Sequence, residues 1–145
     1  MASIEEAVAT MLTTRASVSL HIGTRAYDTE LPAADDPASS YPACVFQVVH
    51  RGDEPHFTGY CPEFASEVQI DTYARTQKER REVAAAVRAA METFSGAWGG
   101  IVVRRAFKVS DFDRRESRDD GGPASAFVNT QRWTVWTRQA PVVVT

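Results

Sequence analysis

The apolar positions of this chain change period as the sequence is read, and each change marks an element. Ile4, Ala7, Val8, Met11 and Leu12 recur at helical spacing, one stripe on one face. Ser3 followed by Glu6 stands in front of them as a capping box, each residue serving a backbone N–H of the first turn. The spacing predicts a helix from Ile4 to about Thr14–Ser17. Arg25 to Thr29 reads as a short strand, and Leu31 to Tyr41, rich in Pro, Asp and Ser, reads as a loop.

From Pro42 the pattern turns to strands. Ala43 to Val49 is a nearly continuous apolar run of strand length, rich in β-formers. Arg51 to Pro62, with Gly52, Pro55, Gly59 and Pro62, is a connection that reverses the chain. In the next strand, Phe64 to Ala74, Val68, Ile70 and Thr72 point one way and Glu67, Gln69, Asp71 and Tyr73 the other. That alternation predicts a half-buried antiparallel strand.

Thr76 and Glu79 form a second capping box, and Val83, Val87, Ala90, Met91 and Phe94 form the stripe of the helix it opens. Ala84, Ala85, Ala86 and Ala89 add helix propensity with little bulk, so this helix can lie close to a sheet. Gly96 is the expected C-terminal cap. Two alternating strands follow. The first sets Ile101, Val103, Arg105, Phe107 and Val109 on one face. The second, Phe127 to Arg138, sets Trp133 and Trp136 on opposite faces, so at least one of them meets something other than the domain's own core. Between these strands Ser110 to Ser125 is strongly charged, ends near Gly-Gly-Pro, and reads as a long polar loop. The segment Pro141 to Thr145 is apolar and unpaired in this reading. No internal repeat is present.

The order is helix, weak strand, strand, strand, helix, strand, strand. It predicts an α+β domain: an antiparallel or mixed sheet of four to five strands with two helices packed on one face. Residues 1–138 form the domain and 139–145 an extension. The length of 145 residues suits one domain with a substantial core. A net charge of −3 argues against a dedicated nucleic-acid binder, which normally carries a basic excess. Two cysteines make no disulfide framework, and no secretory signal or membrane-length apolar run is seen. Use in the cytoplasm, or in a particle assembled there, is expected.

Candidate chemistry changes this picture little. His50, His56 and Cys61 lie close in sequence, but the spacing matches no tight ligand pair and a fourth ligand is missing nearby. Cys44 paired with a histidine would suggest a nucleophile, yet it falls in an apolar strand where cysteine behaves as a small hydrophobe, with no oxyanion-type loop beside it. Asp111, Asp113, Asp119 and Asp120 lack EF-hand spacing, and Arg114, Arg115 and Arg118 compete for the same carboxylates. Glu67 and Asp71 share a strand face without the second feature of an acid–base pair. Gly99-Gly100 is a turn without a phosphate-loop signature, and Lys78 to Glu82 is the wet face of a helix. No cofactor, metal or catalytic residue is expected.

Tyr41 to Met91 resembles the core of the tail-completion (tail-terminator) family of long-tailed phages and related prophage or gene-transfer particles. The likeness is carried by Pro42-Ala-Cys-Val-Phe-Gln-Val-Val, Gly59, Val68-Gln-Ile-Asp-Thr-Tyr-Ala, Thr76 and the Ala-rich helix ending at Met91. The resemblance spans roughly residues 4 to 138. It implies a virion structural protein and not an enzyme: a homohexameric ring that caps the head-proximal end of the tail tube, stops its polymerisation and joins the tail to a head-side connector or stopper protein. DNA would pass through the lumen without specific binding. The segments Arg51–Tyr60 and Ser110–Ser125 are then expected to project toward partners. Arg51, Asp53, Glu54, His56 and Tyr60 serve in the first, Asp111, Asp113, Arg114, Arg115 and Arg118 in the second, and Trp136 on the sheet. Two readings compete: another neck or baseplate subunit of such a particle, or a small α+β nucleic-acid or ligand-binding module using Arg104, Arg105, Arg132 and Arg138 beside exposed aromatics.

Overall fold

The N-cap hydrogen bonds expected of Ser3 and Thr76 both form. In the computed structural model, which describes residues 3–29, 41–50, 63–98, 101–116 and 126–139, the Ser3 side chain accepts from the N–H of Glu6 at 3.2 Å and opens α1 (Ile4–Thr14). The hydroxyls of Thr13 and Thr14 turn back onto the carbonyls of Ala9 and Thr10 at 2.8 and 2.6 Å. Arg15 then leaves helical geometry with ψ of 116°. The chain coils again as α2 (Ala16–Ile22), anchored by buried Val18 and Ile22. The sequence reading ended its first helix here. Seven residues are too few to display a period of 3.6.

Six strands follow: β1 (Ala26–Asp28), β2 (Ala43–His50), β3 (Glu63–Ala74), then after α3 (Gln77–Glu92) β4 (Gly96–Trp98), β5 (Ile101–Glu116) and β6 (Ala126–Gln139). They form one sheet in the order β1-β2-β3-β6-β5-β4. β1 runs parallel to β2 and every other pairing is antiparallel, so the sheet is mixed. The α+β class holds. The strand number and element order expected from sequence do not: the described residues hold six strands and three helices. β4 is a three-residue strand that took the place given to a cap. Gly96 opens it with φ of 97°, while the helix is capped at Thr93. A Cβ on Gly96 would meet nothing within 4 Å, so backbone conformation alone asks for glycine there.

The pairings sort the side chains onto two faces. Cys44, Phe46, Val68, Ile70, Trp133 and Val135 point to the inner face and share one core with Val8, Met11 and Leu12 of α1, Val18 and Ile22 of α2, and Val83, Val87 and Met91 of α3. All three helices therefore pack against one face. Each such side chain contributes about 1.5–3 kcal/mol by leaving water. Thr76 caps α3 by accepting from the N–H of Glu79 at 3.1 Å, and Glu79 accepts from the N–H of Arg75 at 3.1 Å.

The long strands are not regular. The pairing slips between Val48 and His50 on β2, and between Val103 and Arg105 and between Lys108 and Ser110 on β5. Each slip leaves one residue over and reverses the in–out alternation beyond it.

Candidate assembly interface

Under α3 the sheet is polar, and the polarity is organised. Asn129, Gln131 and Trp133 alternate down the inner face of β6 and are all buried. The indole Nε1 of Trp133 donates to Gln131 Oε1 at 3.0 Å, and Gln131 Nε2 donates to Asn129 Oδ1 at 2.9 Å and to the Ala84 carbonyl of α3 at 3.0 Å. Asn129 Nδ2 in turn donates to Asp111 and Asp113 of β5, both at 2.8 Å. From α3, Arg88 donates to Asp111 Oδ2 through Nε and Nη2 at 3.0 and 2.7 Å, and Arg80 lies 3.5 Å from Asp113. Partial burial raises the Asp111 pKa. The hydrogen bonds from Asn129 and Arg88 and the charges of Arg88 and Lys108 outweigh it and hold the carboxyl below its usual value.

This network corrects the reading of Ser110–Ser125 as a loop. β5 continues through Asp111, Asp113, Arg114 and Arg115 to Glu116, paired with β6 along its length. Asp111 and Asp113 are turned inward beneath α3. Arg114 lies on the outer face, its Nη2 3.9 Å from Asp71, and the Arg115 guanidinium sits 5.5 Å from the centre of the Phe127 ring. Arg88, Asn129 and Gln131 were not singled out from sequence. The available signal was two amides spaced by two on the same face as a tryptophan, a pattern that asks for internal partners once buried.

On the outer face the polar residues are also paired. Thr130 donates to Asp71 at 2.6 Å, Gln69 to Asp71 at 3.3 Å, and Arg132 to Gln69 at 3.1 Å. Toward the margin of the sheet this face turns apolar and basic. Trp136 pairs with Arg105 of β5, Arg105 stacks on Phe107 at 5.0 Å, and Phe112 follows on the same face four pairs beyond Phe107. Phe107, Val109 and Phe112 are each about half exposed. Beside them Ser95, Gly96, Val102, Val103, Arg104, Arg105 and Trp136 line a groove of about 530 Å³. Trp133 is buried in the core and Trp136 faces this groove, so the two tryptophans do divide between the faces.

The remaining candidates separate cleanly. Arg51, Asp53, Glu54, His56, Tyr60 and Arg118, with Cys61, lie outside the described residues. His50 is exposed at the end of β2. Cys44 is buried against Thr72, 3.8 Å away, and burial pushes its thiol up to about 12, where it is a core side chain and not a nucleophile. Among the described residues, no group of three or more His, Cys, Asp or Glu side chains is placed to hold a metal ion, and no helix is long and apolar enough to cross a membrane.

The family model described as "Tail completion protein gp17" matches residues 6–138. Among solved structures, a chain of the assembly described as "Virion of native gene transfer agent (GTA) particle" superposes with a TM-score of 0.57. The two are 18% identical, and the match covers 92% of each chain. At that identity the likeness speaks for the fold. No curated protein matches the sequence.

Proposed function

This chain belongs to the family of tail completion protein gp17, virion structural proteins of phage-type tails, and on that premise we propose that it is one subunit of a ring closing the head-proximal end of the tail tube. In this reading the ring stops tube polymerisation and offers its far side to a head-side connector or stopper protein, with six copies around a lumen through which DNA slides. The family match over nearly the whole chain is the observation that carries it. The architecture supports it: a sheet with helices on one face and apolar surface along one margin suits repeated, heterologous contact between copies. Residues 1–138 act as the working unit, and 139–145 extend it. The work is done by shape and contact, with no reaction catalysed.

Within this reading Arg51, Asp53, Glu54, His56, Tyr60 and Arg118 are contacts to tube or connector proteins, with Arg114, Arg115 and Trp136 on the sheet. Asp111 and Asp113 are assigned instead to holding the β5–β6 hairpin beneath α3. A deletion that tests the segment up to Ser125 as a partner contact starts beyond Glu116, where β5 ends. The test is electron microscopy of particles made without this chain. Tubes of uncontrolled length, unattached to heads, are expected. Tails of normal length joined to heads would overturn the proposal.

A second reading draws on the aromatic and basic outer face around Trp136, Arg105, Phe107 and Arg132, a surface type on which single-stranded nucleic acid stacks. It predicts oligonucleotide binding that weakens steeply with salt. The ring reading predicts none.

A further inference from the structure

We propose that β5 is the strand through which one copy of this chain joins the next, its partner being the β2 margin of the neighbouring copy. The proposal rests on the ring reading and deepens it by naming the contact.

β4 covers β5 only across Ile101–Val103. From Arg105 to Asp113 no strand among the described residues lies on the far side of β5. At about 3.4 Å per residue that is an edge about 30 Å long. Natural sheets shorten, charge or cover such edges because they template pairing with another chain. Here the edge strand is instead the place where apolar surface accumulates. Phe107, Val109 and Phe112 are 49%, 56% and 52% exposed, and they are three of the five large hydrophobic residues exposed among those described. A strip of this length also matches the span of a standard interface, which buries about 800 Å² per partner.

Three observations favour a second copy as the occupant. The first is the opposite margin. β1 covers β2 only across Cys44–Phe46, so from Gln47 to His50 that side of β2 carries no strand among the described residues, and Val49 is exposed there. Among the described residues one sheet thus offers an uncovered stretch at both ends, as head-to-tail closure into a ring requires. The second is direction. The successive antiparallel pairings β2–β3, β3–β6 and β6–β5 leave β5 running opposite to β2. Copies related by rotation about an axis along the strands bring β5 of one antiparallel to β2 of the next, the more favourable ladder. The third is charge. Within the uncovered edge Asp111 and Asp113 are turned inward onto Arg88 and Arg80, and the charge on its outer face is that of Arg105, while the whole chain stands at −3. A cation set among apolar side chains on an acidic chain is drawn to another copy of it.

The test uses tails assembled with the full chain carrying Phe107→benzoylphenylalanine, illuminated and resolved by mass. A ladder at multiples of the 16.0 kDa chain is expected. The same probe in Arg81→benzoylphenylalanine, on the exposed face of α3, should give no ladder. Adducts from position 107 only with DNA or with a different tail protein would overturn the proposal, as would a ladder from position 81 alone. The copy number of the chain per tail, counted by quantitative mass spectrometry, separates the two levels. Several copies without a ladder from position 107 sink the β5 contact and spare the ring, whereas one copy per tail sinks the ring itself. As a second variant, Phe107→Asp with Phe112→Asp should keep its circular dichroism spectrum and lower incorporation into tails by at least about tenfold, the cost of losing a central pair of interface aromatics. Unchanged incorporation would count against the contact.

Discussion

The indole of Trp133 does not merely fill the core; its Nε1 donates to Gln131 Oε1 at 3.0 Å, two residues back along the same strand. Gln131 spends its other end on Asn129 and on the Ala84 carbonyl of α3. One buried amide therefore ties a strand, a helix and the largest core side chain together. Replacing it tests how much of the fold hangs on that bond set. Gln131→Leu keeps the volume roughly but strands the indole N–H, the Asn129 oxygen and a helix carbonyl. Unfolding in urea should show a loss of about 2–4 kcal/mol. A loss below about 1 kcal/mol would mean that water takes over these partners.

The two tryptophans of β6 should separate stability from assembly. Trp133→Ala empties a fully buried site and should cost about 3–5 kcal/mol. Trp136→Ala, on the groove side of the strand, should cost less than about 1 kcal/mol in the isolated chain. Its effect should surface in tail assembly, measured as the fraction of particles with joined tails.

Asp111 predicts a pH dependence with a definite sign. Its folded pKa lies below the unfolded value of about 3.9. The stabilisation it provides is complete above that unfolded value and is lost as pH falls through the depressed folded one. At neutral pH, Asp111→Asn should be less stable than the native chain by about 1–3 kcal/mol, because the Arg88 guanidinium loses its charged partner. Urea titrations from pH 7 to pH 3 should show the two proteins converging below about pH 4. A gap independent of pH would mean that the carboxylate's charge is not what Arg88 binds.

Cys44 should be silent in the native state. With its thiol pushed up to about 12 by burial, it forms little thiolate at neutral pH. In a Cys61→Ser background, a thiol-reactive chromophore should modify the chain only after denaturant is added. Rapid modification of the folded protein would show that the strand opens readily.

Much of this architecture was legible in the chain because local and global signals agreed. The cap at Thr76 and the stripe Val83, Val87, Ala90 and Met91 mark α3, and the alternation of Val68, Ile70 and Thr72 marks β3 and its inner face. What escaped was short or depended on distant partners. α2 and β4 have too few residues to show a period. Ser110 to Glu116 looked like a loop because its charges are dense. It is strand because Arg80 and Arg88, more than twenty positions upstream, lie over its carboxylates. For β5, simple alternation put Val103, Arg105 and Phe107 on one face. The extra residue at Arg104 turns Val103 inward and the other two outward. Of the site, Trp136 was legible from its opposition to Trp133, whereas the amide relay beneath α3 was not.

The leftover residue at Val109 has a consequence of its own. Phe107 and Phe112 stand an odd number of positions apart, so on an uninterrupted strand they would look in opposite directions. The spare residue between them is what lets both look out while Asp111 and Asp113 look in. Deleting it would bring the two rings four positions apart, the even spacing of an unbroken strand, with Phe112 still looking out and both carboxylates still under their arginines. The stretch thus tolerates the loss of one residue but not a gain beyond Ser110, where an insertion would turn Asp111 and Asp113 out from beneath the helix. Thermal melts of a Val109 deletion and of a single alanine inserted after Ser110 should find the insertion far the more damaging to folding.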